Sequence, residues 1–420
     1  MEKREGYKKT KIGWIPEDWD VVQFKNIVGL NRQKINSKDN GHHKCIELEH
    51  IDQGSGKLLG HAMTEGKSSI KTPFKPGDTL FGKLRPYLMK YCYPTFEGVC
   101  STEIFVFRPK LDADSRFVFN IVQTEGFIAN AVSKSFGTKM PRTNWSIVGD
   151  YSLPLPPLPE QQKIASILTT VDDKISSIEY QIQQTEQLKK GLMEKLLTEG
   201  IGHTEFKETK IGRIPKGWDV VKIFDVVEKI QDGNYGADYP KADEMLPTGV
   251  PFLTSAVISR NSRVDTSKLK YISKEKHELL KKAHLKKHDV LFTNRGANVG
   301  QVAINPDFLN GANIGPQLTL LRCKDKLMDY QILFFYLQSP IFNKILKSVD
   351  SGSAMNFLSI KTTGNFLVIL PPLEEQKQIA TILSTVDDKI EVLNQKKTHY
   401  QILKKGLSQQ LLTGQMRVKI

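Results

Sequence analysis

Pro156-Pro-Leu-Pro-Glu-Gln-Gln-Lys-Ile-Ala-Ser-Ile-Leu-Thr-Thr-Val-Asp-Asp-Lys-Ile175 returns later in the chain as Pro371-Pro-Leu-Glu-Glu-Gln-Lys-Gln-Ile-Ala-Thr-Ile-Leu-Ser-Thr-Val-Asp-Asp-Lys-Ile390. Fifteen of those twenty positions are identical at an offset of 215. A second motif, Thr10-Lys-Ile-Gly-Trp-Ile-Pro-Glu-Asp-Trp-Asp-Val-Val22, returns as Thr209-Lys-Ile-Gly-Arg-Ile-Pro-Lys-Gly-Trp-Asp-Val-Val221, with ten of thirteen positions kept at an offset of 199. Chance does not produce two such matches, so the chain is a tandem duplication. The stretches between the motifs, about 34–152 and 233–367, hardly resemble each other. Loop drift is the weaker account of that divergence, because whole strand-and-turn patterns fall inside it.

The repeated Pro-Pro segments read as the starts of long helices. Leu153-Pro-Leu-Pro-Pro-Leu-Pro159 cannot be helix interior, and Gly200 and Gly202 mark the stop. Between them apolar residues recur at Ile164, Ile167, Val171, Ile175, Ile178 and Ile182, then at Leu188, Leu192 and Leu196, one helical stripe with a stutter near Thr185. The second copy repeats the stripe at Ile379, Ile382, Val386, Ile390, Leu403, Leu407 and Leu411, and Lys397 interrupts it where the first copy has Ile182. Each helix would run about 60 Å at ~1.5 Å per residue. A stripe that long has to bury against something, either its own globular neighbour or the other copy, and the economical partner is the other copy in a coiled coil.

The order of the motifs makes such a pair antiparallel. Leu411-Leu-Thr-Gly414 echoes Leu196-Leu-Thr198, which leads into the motif at 209–221; after residue 414 the equivalent motif lies back at 10–22. The arrangement is circular, and the last residues are expected beside the first globular unit. Equivalent helices related by a pseudo-dyad run in opposite directions.

The divergent segments read as small mixed domains. Pro76–Phe81, Gly98–Arg108 and Asn144–Val148 look like strands, and Ser115–Ala131 like a helix. In the second copy Asp289–Thr293, Gly300–Ile304 and Gln317–Arg322 look like strands, followed by a helix around Tyr330–Leu346. The fold class is therefore α+β: two globular mixed α/β domains separated by two long helices.

With 60 Lys+Arg against 46 Asp+Glu, the chain carries a formal charge of +14. The two helical segments, 160–199 and 374–412, together sum to −1, so the excess lies on the globular parts. Residues 67–90 hold six bases to one acid, and residues 260–287 hold ten to three. Charge so placed suits a polyanion, although charge alone also fits a merely solvated surface. No apolar run approaches the ~20 residues of a membrane span. The polar N-terminus is no secretory signal, and cysteines at 45, 92, 100 and 323 form no disulfide framework. A cytoplasmic protein without a membrane partner is expected.

Catalytic motifs are missing. Gly60-His-Ala-Met-Thr-Glu-Gly66-Lys-Ser68 puts five residues between its glycines where a phosphate loop needs four. Leu155-Pro-Pro-Leu158 and Leu370-Pro-Pro-Leu373 lack the polar and aromatic flanks with which an adenine methyltransferase holds a flipped base. His42, His43 and Cys45 are adjacent rather than spaced for a metal, and His284 and His288 sit among lysines without a glutamate. Surface histidines are the simpler reading, and no metal is expected.

Paired Pro-Pro-Leu-x-Glu-Gln helices continuing into Ile-Ala-x-Ile-Leu-x-x-Val-Asp-Asp-Lys-Ile, joined to Lys-Ile-Gly-x-Ile-Pro…Trp segments, resemble the specificity subunits of type I restriction-modification systems. Phe81-Gly-Lys-Leu-Arg-Pro-Tyr87 and Leu291-Phe-Thr-Asn-Arg-Gly-Ala-Asn-Val-Gly300 resemble recurring forms of that family's target recognition domains. The resemblance covers essentially the whole chain. It implies target recognition domains at 1–155 and 201–368, a central spacer helix at 156–200 and a C-terminal one at 369–420. Each domain would read one half of a bipartite double-stranded DNA sequence. Two modification subunits would methylate adenine, and restriction (motor-endonuclease) subunits would cleave unmodified DNA. S-adenosylmethionine, ATP and Mg would then belong to those partners, with no cofactor on this chain and no chemistry of its own.

The expected DNA contacts are Lys83, Arg85, Tyr87, Thr138, Lys139 and Arg142 in the first domain, and Asn294, Arg295, Asn298, Ser353, Met355 and Asn356 in the second. Arg forks suit guanine edges and Asn suits adenine, whereas Lys and Thr more often hold phosphate. Phe136–Met140 and Ser351–Met355 occupy corresponding places in the two copies. The expected spacer seam is Ile164, Ile167, Val171 and Ile175 with Ile379, Ile382, Val386 and Ile390. A stand-alone DNA-binding regulator and a coiled-coil adaptor are the other two functions this sequence allows.

Overall fold

The computed structural model describes residues 5–36, 42–64, 69–137, 139–236, 238–259, 261–350 and 357–419. Thr138, Ser353, Met355 and Asn356 lie outside the described residues, as do residues 65–68 of the glycine-spaced stretch. The chain divides into two compact units, Met1–Tyr180 with Gln395–Ile420, and Gln181–Asn394. Two long helices, Leu158–Leu196 and Leu373–Leu412, each contribute one half to each unit. Among the described residues no helix is long and apolar enough to cross a membrane.

Within each unit the helix halves run antiparallel. In the first, Asp172 meets Lys404 at 2.7 Å and Glu179 meets Lys397 at 3.1 Å, so an advance of one heptad on one helix is a retreat of one on the other. In the second, Lys189 meets Asp387 at 2.6 Å. The outer ends are built into the domain cores. Ile164 and Leu168 pack with Leu411 and Leu412 among the first unit's aromatics, and Leu196 and Leu197 pack with Ile379 and Leu383 in the second.

Burial corrects the seam. The inward positions of the first helix are Ile164, Leu168, Val171, Ile175, Ile178, Ile182, Thr185, Lys189, Leu192 and Leu196, an unbroken alternation of four and three. There is no stutter: Thr185 is buried on the seam, and Leu188 lies 54% exposed. Ile382 is likewise 38% exposed, and Leu383 takes the place expected of it. Ile167 only flanks the first unit's core, beside the buried Leu168. Lys397 continues the second seam rather than interrupting it: it keeps the four-three spacing between Leu393 and Tyr400, is half-buried, and its ammonium reaches Glu179.

The unlike middles share one sheet. In the first unit its order is Tyr91–Cys92, Thr79–Gly82, Ile104–Pro109, Val28–Leu30; in the second it is Val302–Ile304, Val290–Thr293, Leu318–Cys323, Val227–Asp232, antiparallel throughout. The same ion pair fastens both. Arg108 donates two hydrogen bonds to Asp78, at 2.9 and 2.8 Å, and Arg322 two to Asp289, both at 2.7 Å. A second sheet, of five strands in the first unit and three in the second, joins Gly98–Ser101 to Lys44–Ile46 in parallel in the first, and Val250–Leu253 to Asn313–Ile314 in the second.

Three local expectations fail for local reasons. Trp145–Gly149 is a helical turn rather than a strand, because the Asn144 side chain accepts from Ile147 N and caps it. Ser115–Ala131 is two helices, Ser115–Val122 and Glu125–Ser133, since Thr124 caps the second. Tyr330–Leu346 breaks between Tyr330–Gln338 and Pro340–Asp350, where Ser339 accepts from Phe342 N and Pro340 has no N–H to continue the first helix.

Candidate nucleic-acid interface

The repeated motifs meet at the root of each domain. In the first unit the Trp19 indole N–H donates to Glu160 Oε2 at 2.9 Å; in the second, Trp218 donates to Glu375 Oε2 at 2.8 Å. The neighbouring glutamine makes the second tie. Gln161 Nε2 donates to the carbonyls of Pro156 and Asp112, and its Oε1 accepts from Asp114 N. Gln376 does the same with Pro371, Leu327 and Asp329. Asp114 and Asp329 cap the domain helices Ser115–Val122 and Tyr330–Gln338. The Glu-Gln of the Pro-Pro motif therefore fastens a globular domain to a long helix.

The circular order is visible within the first unit. Arg417 donates to both oxygens of Glu160, at 2.8 Å each, and to both of Asp18, at 2.8 and 2.9 Å. In the second unit His203 occupies that place against Glu375. Gly200 and Gly414 close the two long helices at φ 64° and 71°; a Cβ on them would stand 2.7 Å from Trp218 and 3.0 Å from Trp19.

Two loops of the first domain are bound edge to edge and carry most of its candidate residues. Arg85 N donates to Pro141 O at 2.7 Å and Thr143 N to Lys83 O at 3.1 Å. Tyr87 and Lys139 are exposed on these loops. Arg85 stands at φ 50°, and its Nε is shielded with no partner among the described residues. Arg142 Nε donates to Glu103 at 3.0 Å. Lys83 is less free: its ammonium bonds Thr102 O and lies 4.8 Å over the Phe105 ring. Burial, with Lys34 nearby, holds it below the usual lysine range.

In the second domain Asn298 is exposed, and the Arg295 guanidinium lies 4.4 Å over the Phe357 ring. Asn294 is wholly buried and donates to Thr319 Oγ1 at 3.0 Å, so it is not placed to touch a base edge. The charge-rich stretches also divide. Lys71 and Lys90 are held internally, by Glu47 and by the carbonyls of Leu48 and Ile51. By contrast Lys270, Lys281, Lys282 and Lys286 are exposed, with no acidic partner within 4 Å among the described residues.

Among the described residues no cluster of three His, Cys, Asp or Glu could hold a metal. His284 bonds Leu280 O, and His288 stacks on Tyr330 at 4.0 Å. The four cysteines are buried and free, and burial pushes Cys92 up to about 12 and raises Cys100 and Cys323 as well.

The type I restriction modification DNA specificity domain matches the chain twice, over residues 16–187 and 215–399. The chain belongs to this family. It is similar to the putative MjaX specificity subunit of Methanocaldococcus jannaschii, 30% identical over 99% of this chain and 98% of that one. It is 28% identical to the MjaVIII specificity subunit of the same organism, over 99% and 97%. Its fold is similar to that of the type I S subunit from M. genitalium, with a TM-score of 0.60 at 13% identity, covering 94% of this chain and 96% of that one. A chain solved in work on assembly and conformational transition of the type I R-M system gives a TM-score of 0.57 at 20% identity, covering 96% and 99%. The specificity subunit is a non-catalytic component for DNA recognition.

Proposed function

We propose that this specificity subunit reads a bipartite duplex target with two unlike recognition domains, residues 1–155 and 201–368, and directs adenine methylation and restriction by partner subunits. The first domain reads through Arg85, Tyr87, Lys139 and Arg142, with Lys83 and Thr138 as further contacts. The second reads through Arg295 and Asn298, with Ser353, Met355 and Asn356 as further contacts. Two modification subunits are the natural complement of a doubled scaffold, and restriction subunits join them.

One observation carries the reading. The same sheet, fastened by the same Asp–Arg pair, is followed by loops of different chemistry: Arg85 and exposed Tyr87 in one unit, Arg295 over Phe357 and exposed Asn298 in the other. Matched scaffolds with unlike tips suit two different half-sites.

The test is to express the chain with its methyltransferase partner and map adenine methylation across a genome. A two-part target with a fixed gap is expected, and replacing residues 1–155 with a relative's should rewrite one half only. Purified chain that methylated or cut DNA unaided would overturn the reading.

A further inference from the structure

One bridge recurs where an inner strand of each large sheet runs on into the candidate loops. Leu84 is bridged to Arg142 in the first unit and Arg295 to Phe357 in the second, both antiparallel. The backbone makes the two pairs equivalent. Thr143 N donates to Lys83 O at 3.1 Å, and Leu358 N donates to Asn294 O at 2.7 Å. Lys83 and Asn294 each follow directly on their strands, Thr79–Gly82 and Val290–Thr293. Just past the bridge, Asn144 and Ser359 cap matching short helices, Trp145–Gly149 and Ile360–Gly364.

Residues directly opposite on paired strands project from the same face. Each bridge therefore sets one arginine beside one apolar side chain, but the arginine comes from opposite strands: Arg142 from the later segment, Arg295 from the earlier. That exchange moves its root by about 4.5–5.5 Å, more than the ~3.4 Å between successive bases. What holds the arginine also differs. Arg142 Nε donates to Glu103 Oε2 at 3.0 Å, and Lys83 N donates to Glu103 O at 2.8 Å, which ties that carboxylate's residue to the same edge. The Arg295 guanidinium instead lies 4.4 Å over the Phe357 ring. Arg142 keeps 43% of its side chain open, and Arg295 is half-buried.

A seated arginine loses less rotamer entropy on binding than one that starts free in solvent. A carboxylate at Nε leaves the two terminal nitrogens for another ligand. A ring holds the guanidinium through its charge, without an oxygen that would take up its donors. We infer that Arg142 and Arg295 are the guanine-reading residues of the two half-sites, aimed by Glu103 and Phe357 as positioning residues. The guanidinium fork matches O6 and N7 of guanine in the major groove. This inference rests on the proposed bipartite reading.

The test uses the assembled methyltransferase complex on DNA randomised in both half-sites. Arg295→Ala should relax one guanine of the second half-site by about 5- to 150-fold and leave the first untouched. Phe357→Leu keeps apolar bulk on the bridge and should relax that same guanine by a smaller factor, and Phe357→Tyr should restore it. Arg142→Ala and Glu103→Ala should act in the same way at one guanine of the first half-site. Glu103→Gln, which still accepts from Nε, should keep most of the discrimination. Uniform weakening across all sequences in the arginine variants, or relaxation at a base other than guanine, would overturn the inference. So would Phe357→Leu and Glu103→Ala chains that weakened every sequence alike, the mark of a merely structural role. A wild-type complex that showed no split target would instead overturn the reading beneath it.

Discussion

Lys189 and Asp387, on opposite long helices, meet at 2.6 Å, and the duplication offset carries that pair onto Lys404 and Asp172 at 2.7 Å in the other unit. Both lysines occupy seam positions where an apolar residue would pack better. A charged seam residue costs stability and selects one register. A slip of one heptad would set Lys189 opposite Ala380 or Asn394 and leave its ammonium unpaired. A double-mutant cycle of Lys189→Ala with Asp387→Ala should show a coupling of about 1 kcal/mol by denaturant unfolding. Simple additivity of the two losses would remove the register role.

Arg417 is the only cation within ion-pair distance of Glu160 among the described residues, and Glu160 has no solvent exposure. Arg417→Ala leaves that carboxylate the Trp19 indole alone. The expected loss is about 2–3 kcal/mol, below the full cost of an orphaned buried charge because the guanidinium is itself partly exposed. Amide exchange should quicken in the first unit and stay unchanged in the second, where Glu375 has His203. Arg417→Lys should restore less than half, because an ammonium cannot grip both carboxylates as a fork does. Equal quickening in both units would show that the C-terminal segment does not act through Glu160.

Arg85 and Lys139 sit on loops joined by hydrogen bonds, yet they should behave differently on DNA. Arg85, whose guanidinium fork suits a guanine edge, is expected to read one, so Arg85→Ala should relax one base position by about 1–3 kcal/mol. Lys139, exposed on its loop, is expected to hold phosphate; Lys139→Ala should weaken all sequences alike and reduce the salt slope by about 1. Binding titrations at several salt concentrations on matched and mismatched sites separate the two, and the opposite assignment would exchange their roles.

The duplication, the long helices and their antiparallel sense were legible because they depend on motif order and periodicity, which tertiary context does not alter. Apolar content alone does not trace the seam: Thr185 and Lys189 keep the heptad phase, while Leu188 does not. The helical turn after Asn144 and the break at Ser339-Pro340 had local signals, a cap residue and a proline, outweighed by apolar content. Asn294 could not be judged from sequence. Its burial follows from Thr319 on the neighbouring strand, and only the sheet register brings those two together. The Trp–Glu tie was hidden for the same reason, since its partners lie in two motifs 141 residues apart.

The corrected seam changes how the spacer should be tested. One helical turn inserted within 176–187 alone would put the two helices out of phase, since four residues do not fill a heptad and the opposite helix would gain nothing. A whole heptad in each helix, after Tyr180 and after Gln395, keeps every pair in step. Seven residues lengthen a helix by about 10 Å at ~1.5 Å per residue, the rise of about three base pairs of DNA. Methylome sequencing of cells carrying the doubly extended chain should show a non-specific gap about three base pairs longer, with both half-sites unaltered. A changed half-site would mean that the helices help to read bases, and an unchanged gap would mean that they do not set the spacing.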